Sequence, residues 1–442
     1  MRKTFRGGIH PNGAKGATRN SQTRVCLPEQ VCIPMSMHLG AESTPCVSVG
    51  DHVKLGQIIG EPVGALGLPI HASVSGEVTA VAPRMLLGGK QVVCVTIQND
   101  FQDDWCELHP LGDVETVDPT LILPAIKAAG ICGMGGASFP THVKLNVPEG
   151  KKCDVIIVNG AECETFLTAD DRLMREDPAR IVSGLRAAMR AVNVDRAVIA
   201  IEDNKPEALA AVRACVASYP HSHNISVVAL KTKYPMGGEK QLVATITGRQ
   251  IPDGRLPIDI GVIVINVASA AAIADAVIDG KPLISRITTV TGDVVQPSNL
   301  LLRIGTSVKD AIAACGGEKV PLSKIVMGGG MTGFTTPDDT LPVMKASGGI
   351  VLMSEEKGDV PDESACIRCG RCVTVCPIRL NPYLLKPLCE SGQLQQAVDE
   401  HLMKCIVCGC CAYVCPANRR LTATFKDAKD RYIAMKKKEG QK

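Results

Sequence analysis

The sequence predicts a multidomain α/β protein: a β-rich opening, a central unit of alternating strands and helices, a short α+β unit and a cysteine-rich end. Three observations carry this. The chain has 442 residues, and at roughly 150 residues per domain that length corresponds to about three domains. Between about 116 and 285, apolar strands are spaced by helix-length segments. Near the C-terminus a four-cysteine spacing occurs twice, in a chain of 20 cysteines.

Residues 1–115 alternate short strands with glycine turns, at 47–51, 53–60 and 70–81. That pattern predicts a small β-barrel or sandwich. The Gly50-Asp51 turn, the Gly56-Gln57-Ile58 step and the Ser75-Gly76-Glu77-Val78 strand resemble biotinyl and lipoyl carrier domains. No Lys occurs in the hairpin at 62–69, so the attachment point of a swinging arm is missing and the resemblance covers the fold alone.

Residues 116–285 supply strands at 154–158, 196–201, 224–230 and 261–266. One helix opens with Asp177 as N-cap and Pro178 in its first turn, and another covers 206–218. Strands separated this way imply a mostly parallel sheet covered on both faces, with ligands in the crevice at the strands' carboxyl ends. The apolar run at 260–278 is broken by Asn266 and Asp275. A membrane span needs about 18 unbroken apolar residues, so the run is read as a buried strand leading into a helix.

Residues 286–350 predict an α+β unit: a strand at 288–292, a helix at 308–315, and a strand at 324–327 before the Gly328-Gly329-Gly330 turn. Nothing titratable clusters there. A cysteine unit over 358–432 follows, and the basic tail at 433–442, with Lys436-Lys437-Lys438, is expected to be solvated and disordered.

Composition narrows the function. Lys+Arg 48 against Asp+Glu 45 leaves a formal charge of +3, too balanced for a nucleic-acid binder working through a concentrated positive field. Aromatic residues are 3% with one Trp, which offers little for base stacking. The chain is long, and it opens on charged and polar residues without a signal peptide, so its cysteines do not read as a disulfide framework. A reducing compartment is expected.

Cys366, Cys369, Cys372 and Cys376 before Pro377 read C-x2-C-x2-C-x3-C-P, and Cys405, Cys408, Cys411 and Cys415 before Pro416 repeat it. Thiolates are soft ligands suited to iron–sulfur clusters, and in two-cluster ferredoxins the fourth cysteine of each run serves the other cluster. This predicts two [4Fe-4S] clusters, one on Cys366, Cys369, Cys372 and Cys415, the other on Cys405, Cys408, Cys411 and Cys376. Structural zinc also takes four thiolates, but zinc ribbons pair two separate C-x2-C knuckles, so iron–sulfur is the reading adopted. Cys410 is a spare thiol between two ligands. The scattered cysteines, including Cys26, Cys32, Cys46, Cys94, Cys106, Cys132, Cys153, Cys215, Cys315 and Cys389, are expected to pack as small hydrophobes.

A glycine-rich turn at 130–140, with Gly133, Gly135 and Gly136, can bring backbone N–H groups close to a phosphate. Asn159, Glu162 and Glu164 follow a buried strand, at the edge of the expected crevice. Tyr234-Pro235-Met236-Gly237-Gly238-Glu239 places a glycine pair and a carboxylate at a loop-to-helix junction, and Asn266 ends the next strand. Neither G-x-G-x-x-G nor a P-loop is present, so an ordinary dinucleotide site is not supported. His10, His71, His109 and His142 show no metal spacing and are expected to be structural.

Across nearly the whole chain these residues resemble the RnfC-type subunit of the Rnf (Rsx) electron transport complex. The matching segments are Phe5-Arg-Gly-Gly-Ile-His-Pro11, Ile70-His-Ala-Ser-Val-Ser-Gly76, Gly135 through Leu145, Leu167-Thr-Ala-Asp-Asp-Arg172 and both cysteine runs. The middle is similar to the flavin- and NADH-binding subunit of respiratory complex I. The resemblance implies an N-terminal barrel-sandwich hybrid, a Rossmann-like α/β flavin/NADH domain, a β-grasp soluble-ligand-binding domain and an α-helical two-cluster ferredoxin domain. It implies FMN contacts at Gly133, Gly135, Gly136, Lys144, Asn159, Glu162, Gly237 and Asn266, and NAD(H) contacts near Phe139, Glu164 and Glu239. Three positions depart from the pattern: Ser138 stands where the family usually has Gly, Ala161 where the complex I subunit is acidic, and Gly330 where Rnf subunits usually have Pro.

The expected function is that of a peripheral subunit at the cytoplasmic face of the cell (inner) membrane. It would exchange hydride between NAD(H) and FMN and pass single electrons through the two clusters to partner subunits, and through them to or from ferredoxin. No acid or base is required of the protein. The expected rivals are a relay whose flavin site has decayed and a soluble relative feeding a reductase of the proline-reductase type.

Overall fold

The computed structural model describes residues 3–439. Alternating apolar residues build the first unit: Gln30–Pro34, Gln91–Asn99, Gly76–Met85 and His52–Val53 form a four-stranded antiparallel sheet. It is closed by a three-stranded sheet of Thr44–Pro45, Ile58–Glu61 and Ile70–His71. Val31, Ile33, Val53, Ile59, Ile70, Val78, Val95 and Ile97 are buried between them, and each fully buried Val or Ile stabilises by about 1.5–3 kcal/mol.

The opening residues do not stay with this barrel, although the boundary at 115 groups them with it. Lys3 bridges to Leu230 and Ile9 to Tyr234 of the central unit. Arg24–Cys26 pairs in parallel with Ser298–Arg303 as the edge strand of the β-grasp sheet. A three-residue strand with two exposed side chains has too little periodicity to be read locally, so the pairing is visible only in three dimensions.

The central sheet is parallel, in the order Ile225–Leu230, Ala197–Glu202, Val155–Gly160, Val262–Asn266. Its strands are apolar on both faces because both are covered. Ile156, Val158, Ile199 and Ile265 pack towards the helices Pro178–Val192 and Val267–Ile278, while Val155, Ile157, Val198 and Val264 pack against Leu242, Val243 and Ile246 of Glu239–Thr247. Asp177 caps its helix by accepting from the Arg180 N–H. Chain order reverses on either side of Val155–Gly160, which makes the gap between it and Val262–Asn266 the switch point where such sheets bind ligands. The run at 260–278 is a strand and a helix, as its interruptions predict, and among the described residues no helix is long and apolar enough to cross a membrane.

The third unit is a mixed six-stranded sheet, five strands between Ser285 and Ser354 plus the edge strand Arg24–Cys26, with the helix Val308–Ala314 capped by Ser307. The last unit is helical. Pro382–Glu390, Leu394–Asp399 and Leu421–Glu439 enclose Leu385, Ala397, Leu402 and Phe425. The expectation of a disordered tail is corrected over residues 433–439: Lys436, Lys437 and Lys438 form the last turn of Leu421–Glu439. Lysines there face the negative end of the helix dipole, and Lys436 pairs with Glu439. Residues 440–442 lie outside the described residues.

Candidate functional site

The switch-point crevice begins with two asparagines in register. Asn159 and Asn266 are direct partners at the carboxyl ends of adjacent strands. The Asn266 side chain faces two ways: Oδ1 accepts from the Ala268 N–H at 2.8 Å, capping its helix, and Nδ2 donates to Asp170 Oδ2 at 2.8 Å. Gly135 lies directly against it, since a Cβ there would sit 2.9 Å from Asn266 Nδ2. Gly136 has nothing within 4 Å of such a Cβ. One glycine is thus required by the protein, while the next opens onto free space.

The glycine-rich loop closes on itself through Gly133 N–H donating to the Phe139 carbonyl at 2.9 Å. Ser138 has φ +53°, a left-handed conformation that glycine adopts freely. Two buried cations hold the loop from behind. Lys345 Nζ donates to the Gly130 carbonyl at 2.7 Å, and Arg286 donates to the carbonyls of Lys345 and Met134 at 2.7 and 3.3 Å. Burial lowers Lys345 to about 8 and Arg286 to about 10. His71, buried behind the same loop, is held neutral by desolvation and by Lys345.

The opposite wall follows Val155–Gly160. Asn159 Nδ2 donates to the Gly237 carbonyl at 2.9 Å and Gly237 N–H donates to Cys163 Sγ at 3.2 Å. Glu162 turns back to the first turn of Ala169–Glu176, accepting from the Asp170 and Asp171 N–H groups at 2.7 and 3.3 Å, with Lys15 Nζ at 3.7 Å from Oε2. Burial raises its carboxyl to about 7, with Lys15 acting in the opposite direction. Lys144 donates to Glu239 at 3.2 Å and to the Val264 carbonyl at 3.0 Å. Glu164 is engaged by the β-grasp loop, accepting from Met331 N–H at 3.0 Å and Thr332 Oγ1 at 2.6 Å. Gly330 permits that approach, because a Cβ there would sit 2.5 Å from Thr165 Oγ1.

Glycine contacts, strand register and hydrogen bonds link Gly133, Gly135, Phe139, Asn159, Glu162, Gly237 and Asn266, with Lys144 and Glu239 joined to them at Val264. Gly136 meets no neighbour, and Glu164 is turned to residues 331 and 332. Sequence reasoning did not single out Lys15, Cys163, Asp170, Arg286 or Lys345 as site residues. Asp170 lay inside the recognised Leu167–Arg172 segment and carried the one available signal. Arg286 and Lys345 carried none, since their partners lie far away in the chain.

Among the described residues no three His, Cys, Asp or Glu side chains stand in metal-holding geometry, and the two predicted thiol sets differ in how far they are gathered. Cys376, Cys405, Cys408 and Cys411 line one apolar cavity with Leu380 and Phe425. Cys376 and Cys408 both bear electrostatically on Cys405 and on Cys411. Cys372 is influenced by Cys415 and Cys366, while Cys366 and Cys369 are exposed. The runs share a backbone: Arg368 and Val407, each two residues after a first cysteine, have φ +54° and +53°, and Gly370 and Gly409 have +74° and +83°. A branched residue such as Val407 in this region costs on the order of 1–2 kcal/mol, so the repeated strain marks a wrapping that a multi-cornered ligand rewards. Amide N–H groups of Leu380 and Val407 approach the sulfurs of Cys376 and Cys405 at 3.3 and 3.4 Å, as donors to ligating thiolates do. Cys410 is buried, lines the same cavity and interacts with Cys408, and it also donates to the Tyr234 carbonyl at 3.9 Å. Of the scattered cysteines, Cys46 is exposed rather than packed.

A parallel-sheet crevice with a glycine cradle, joined to a helical unit with two thiol sets, defines a flavin- and iron–sulfur-type electron-transfer subunit. Comparison with known proteins agrees. Residues 126–275 match the Nuo51 FMN-binding domain, 3–102 the RnfC barrel sandwich hybrid domain, 287–335 the SLBB domain and 359–379 a 4Fe-4S binding domain. The chain is 44% identical to the RnfC-type subunit of the Na(+)-translocating ferredoxin:NAD(+) oxidoreductase complex of Acetobacterium woodii, covering 98% of each. It is 43% identical to the proton-translocating counterpart of Clostridium ljungdahlii, over 91% of this chain and 88% of that one. Against the corresponding subunit of the ion-translocating oxidoreductase complex of Rhodobacter capsulatus it is 42% identical over 96% and 82%. The chain belongs to this RnfC family. A crystal structure of NAD+-reducing [NiFe]-hydrogenase in the H2-reduced state shares the fold, with TM-score 0.52 at 19% identity, over 74% of this chain and 63% of that one.

Proposed function

We propose that this chain is the NAD(H)-facing subunit of a membrane-bound, ion-translocating ferredoxin:NAD oxidoreductase complex, peripheral on the cytoplasmic face and docked to partner subunits. The observation that carries the reading is the glycine cradle at the switch point, where Gly135 abuts Asn266 and Gly136 stands open. FMN bound there supplies the exchange between hydride and single electrons, and two [4Fe-4S] clusters accept electrons singly.

The chain's own residues bind and position. Gly133, Gly135 and Gly136 let backbone approach the flavin phosphate, and Lys345 and Arg286 keep their loop in place. Asn159, Asn266 and Gly237 form the ring-side wall, Glu162 and Lys144 brace it, and Phe139 and Glu239 are the nucleotide contacts. Glu164, bonded to Met331 and Thr332, fastens the β-grasp loop over the nucleotide end. Cys376, Cys405, Cys408 and Cys411 lie on the flavin side, because the Cys408 carbonyl accepts from Tyr234 Oη at 2.7 Å. Cys366, Cys369, Cys372 and Cys415 form the outward station, two of them exposed.

NADH-dependent reduction of a one-electron dye by the purified chain tests the activity, and co-purification with integral-membrane proteins tests the placement. Dye reduction with membrane partners is expected. A chain that reduces no dye, or that associates with soluble partners only, overturns the reading.

A further inference from the structure

The Phe5–Pro11 segment marks the family resemblance and lies between the crevice and the cysteine unit. Gly8 N–H donates to the Val375 carbonyl at 2.8 Å, and one residue on, Ile9 exchanges both backbone hydrogen bonds with Tyr234 at 2.9 Å each. Gly7 and Gly8 have φ +81° and +75°. A Cβ on Gly7 would sit 2.8 Å from the Cys376 carbonyl, and one on Gly8 2.6 Å from the Tyr234 carbonyl. Both obstacles are backbone, so neither can swing aside. Lys233 clasps the start of the segment, donating to the Phe5 carbonyl at 3.0 Å with its ammonium 4.8 Å from the Phe5 ring.

Tyr234 completes the link. It is 3% exposed, its hydroxyl donates to the Cys408 carbonyl at 2.7 Å, and the crevice glycine Gly237 follows three residues later. The cysteine unit also reaches the central unit through Lys404 and Asp253 at 2.8 Å, but that pair is largely exposed and such pairs contribute little. Ile9, Tyr234 and Cys410 form a small buried cluster at the same junction.

We propose that the Gly7-Gly8 strap and Tyr234 are positioning residues that fix the spacing between the flavin crevice and the Cys376, Cys405, Cys408 and Cys411 cluster site. The inference rests on the function proposed above. A flavin held in the crevice would take hydride from NADH, which leaves as NAD⁺; the two electrons would then cross this junction one at a time to the cluster sites, and the hydride's proton would pass to solvent. Electron transfer requires the redox groups to be held close, so a change of spacing at this junction slows the transfer between them.

The test uses the full-length protein purified anaerobically, with Gly8→Ala and Tyr234→Phe. Stopped-flow absorbance follows flavin bleaching by NADH, freeze-quench paramagnetic resonance follows cluster reduction, and dithionite gives the total reducible cluster. Both variants are expected to keep full flavin, full iron and wild-type flavin bleaching. Cluster reduction should slow severalfold in Gly8→Ala and to a lesser extent in Tyr234→Phe. A purely structural role would instead lower flavin and iron content together. Wild-type rates of cluster reduction in both variants overturn the proposal, and if Gly8→Ala does not accumulate, Tyr234→Phe decides alone. If NADH fails to bleach the wild-type flavin, the proposed function fails instead. Amide exchange at residues 371–376 then tests the strap, with faster exchange than wild type in the variants supporting it and unchanged exchange overturning it.

Discussion

Substituting the two neighbouring glycines of the cradle separates what the protein needs from what a cofactor needs. In Gly135→Ala the new methyl meets Asn266 Nδ2, Cγ and Cβ at 2.9, 3.1 and 3.2 Å, so the amide must move. Moving it weakens a helix cap, a loss of about 1 kcal/mol. It also strips buried Asp170 of the Asn266 donor, a further cost of about 1–3 kcal/mol. Together about 2–4 kcal/mol is removed from the floor of the crevice. If about 2 kcal/mol of that falls on binding, Kd for FMN rises roughly thirtyfold. Gly136→Ala has no protein neighbour to disturb, so its thermal unfolding should match wild type while FMN affinity still falls, because the methyl enters the space assigned to the cofactor. Calorimetric titration of flavin-stripped protein, with iron content as a control, reads both. Wild-type FMN affinity in Gly136→Ala, or full flavin occupancy in Gly135→Ala, would refute the placement of the phosphate loop.

Three further predictions concern other parts of the molecule. Cys410→Ser should retain the iron of both clusters while Cys376→Ala loses that of one, read by iron and sulfide content; equal loss in the two variants would contradict the ligand assignment. Folding raises Glu162 from 4.5 to about 7, so the folded state binds the extra proton. Stability from this group therefore falls as pH rises through that window, by about 3 kcal/mol. Urea midpoints of Glu162→Gln should lack this share of the slope, and parallel curves for variant and wild type would argue against it. Lys345 is lowered from 10.5 to about 8, so folding releases a proton and stability rises between pH 8 and 10.5. Lys345→Met should flatten that rise, and an unchanged slope would count against a charged, buried Lys345.

What could be read from the sequence was whatever is local. The apolar strands ending in Asn159 and Asn266 and the Asp177 cap are short-range signals, and each stands where its spacing places it. The cysteine runs predict an iron–sulfur unit because ligand spacing is written in consecutive residues, and residues 359–379 match a 4Fe-4S binding domain. The supports of the site were not legible, because they are long-range. Lys345 reaches Gly130 across 215 positions and Tyr234 reaches Cys408 across 174. A buried lysine whose partner is a distant carbonyl leaves no motif. The edge strand Arg24–Cys26 and the helical Lys436–Lys438 turn escaped for a related reason: a pairing partner and a helix dipole decide them, and composition does not.

A chain that takes hydride from NADH and delivers single electrons must hold a flavin and its clusters together. Anaerobic purification, with iron, acid-labile sulfide and released flavin quantified and absorbance followed on adding NADH, decides whether this one does. About eight irons, two clusters of four, are expected with one FMN that NADH bleaches. Eight irons without flavin and without bleaching would contradict this, leaving a relay and requiring the crevice assignments to be withdrawn.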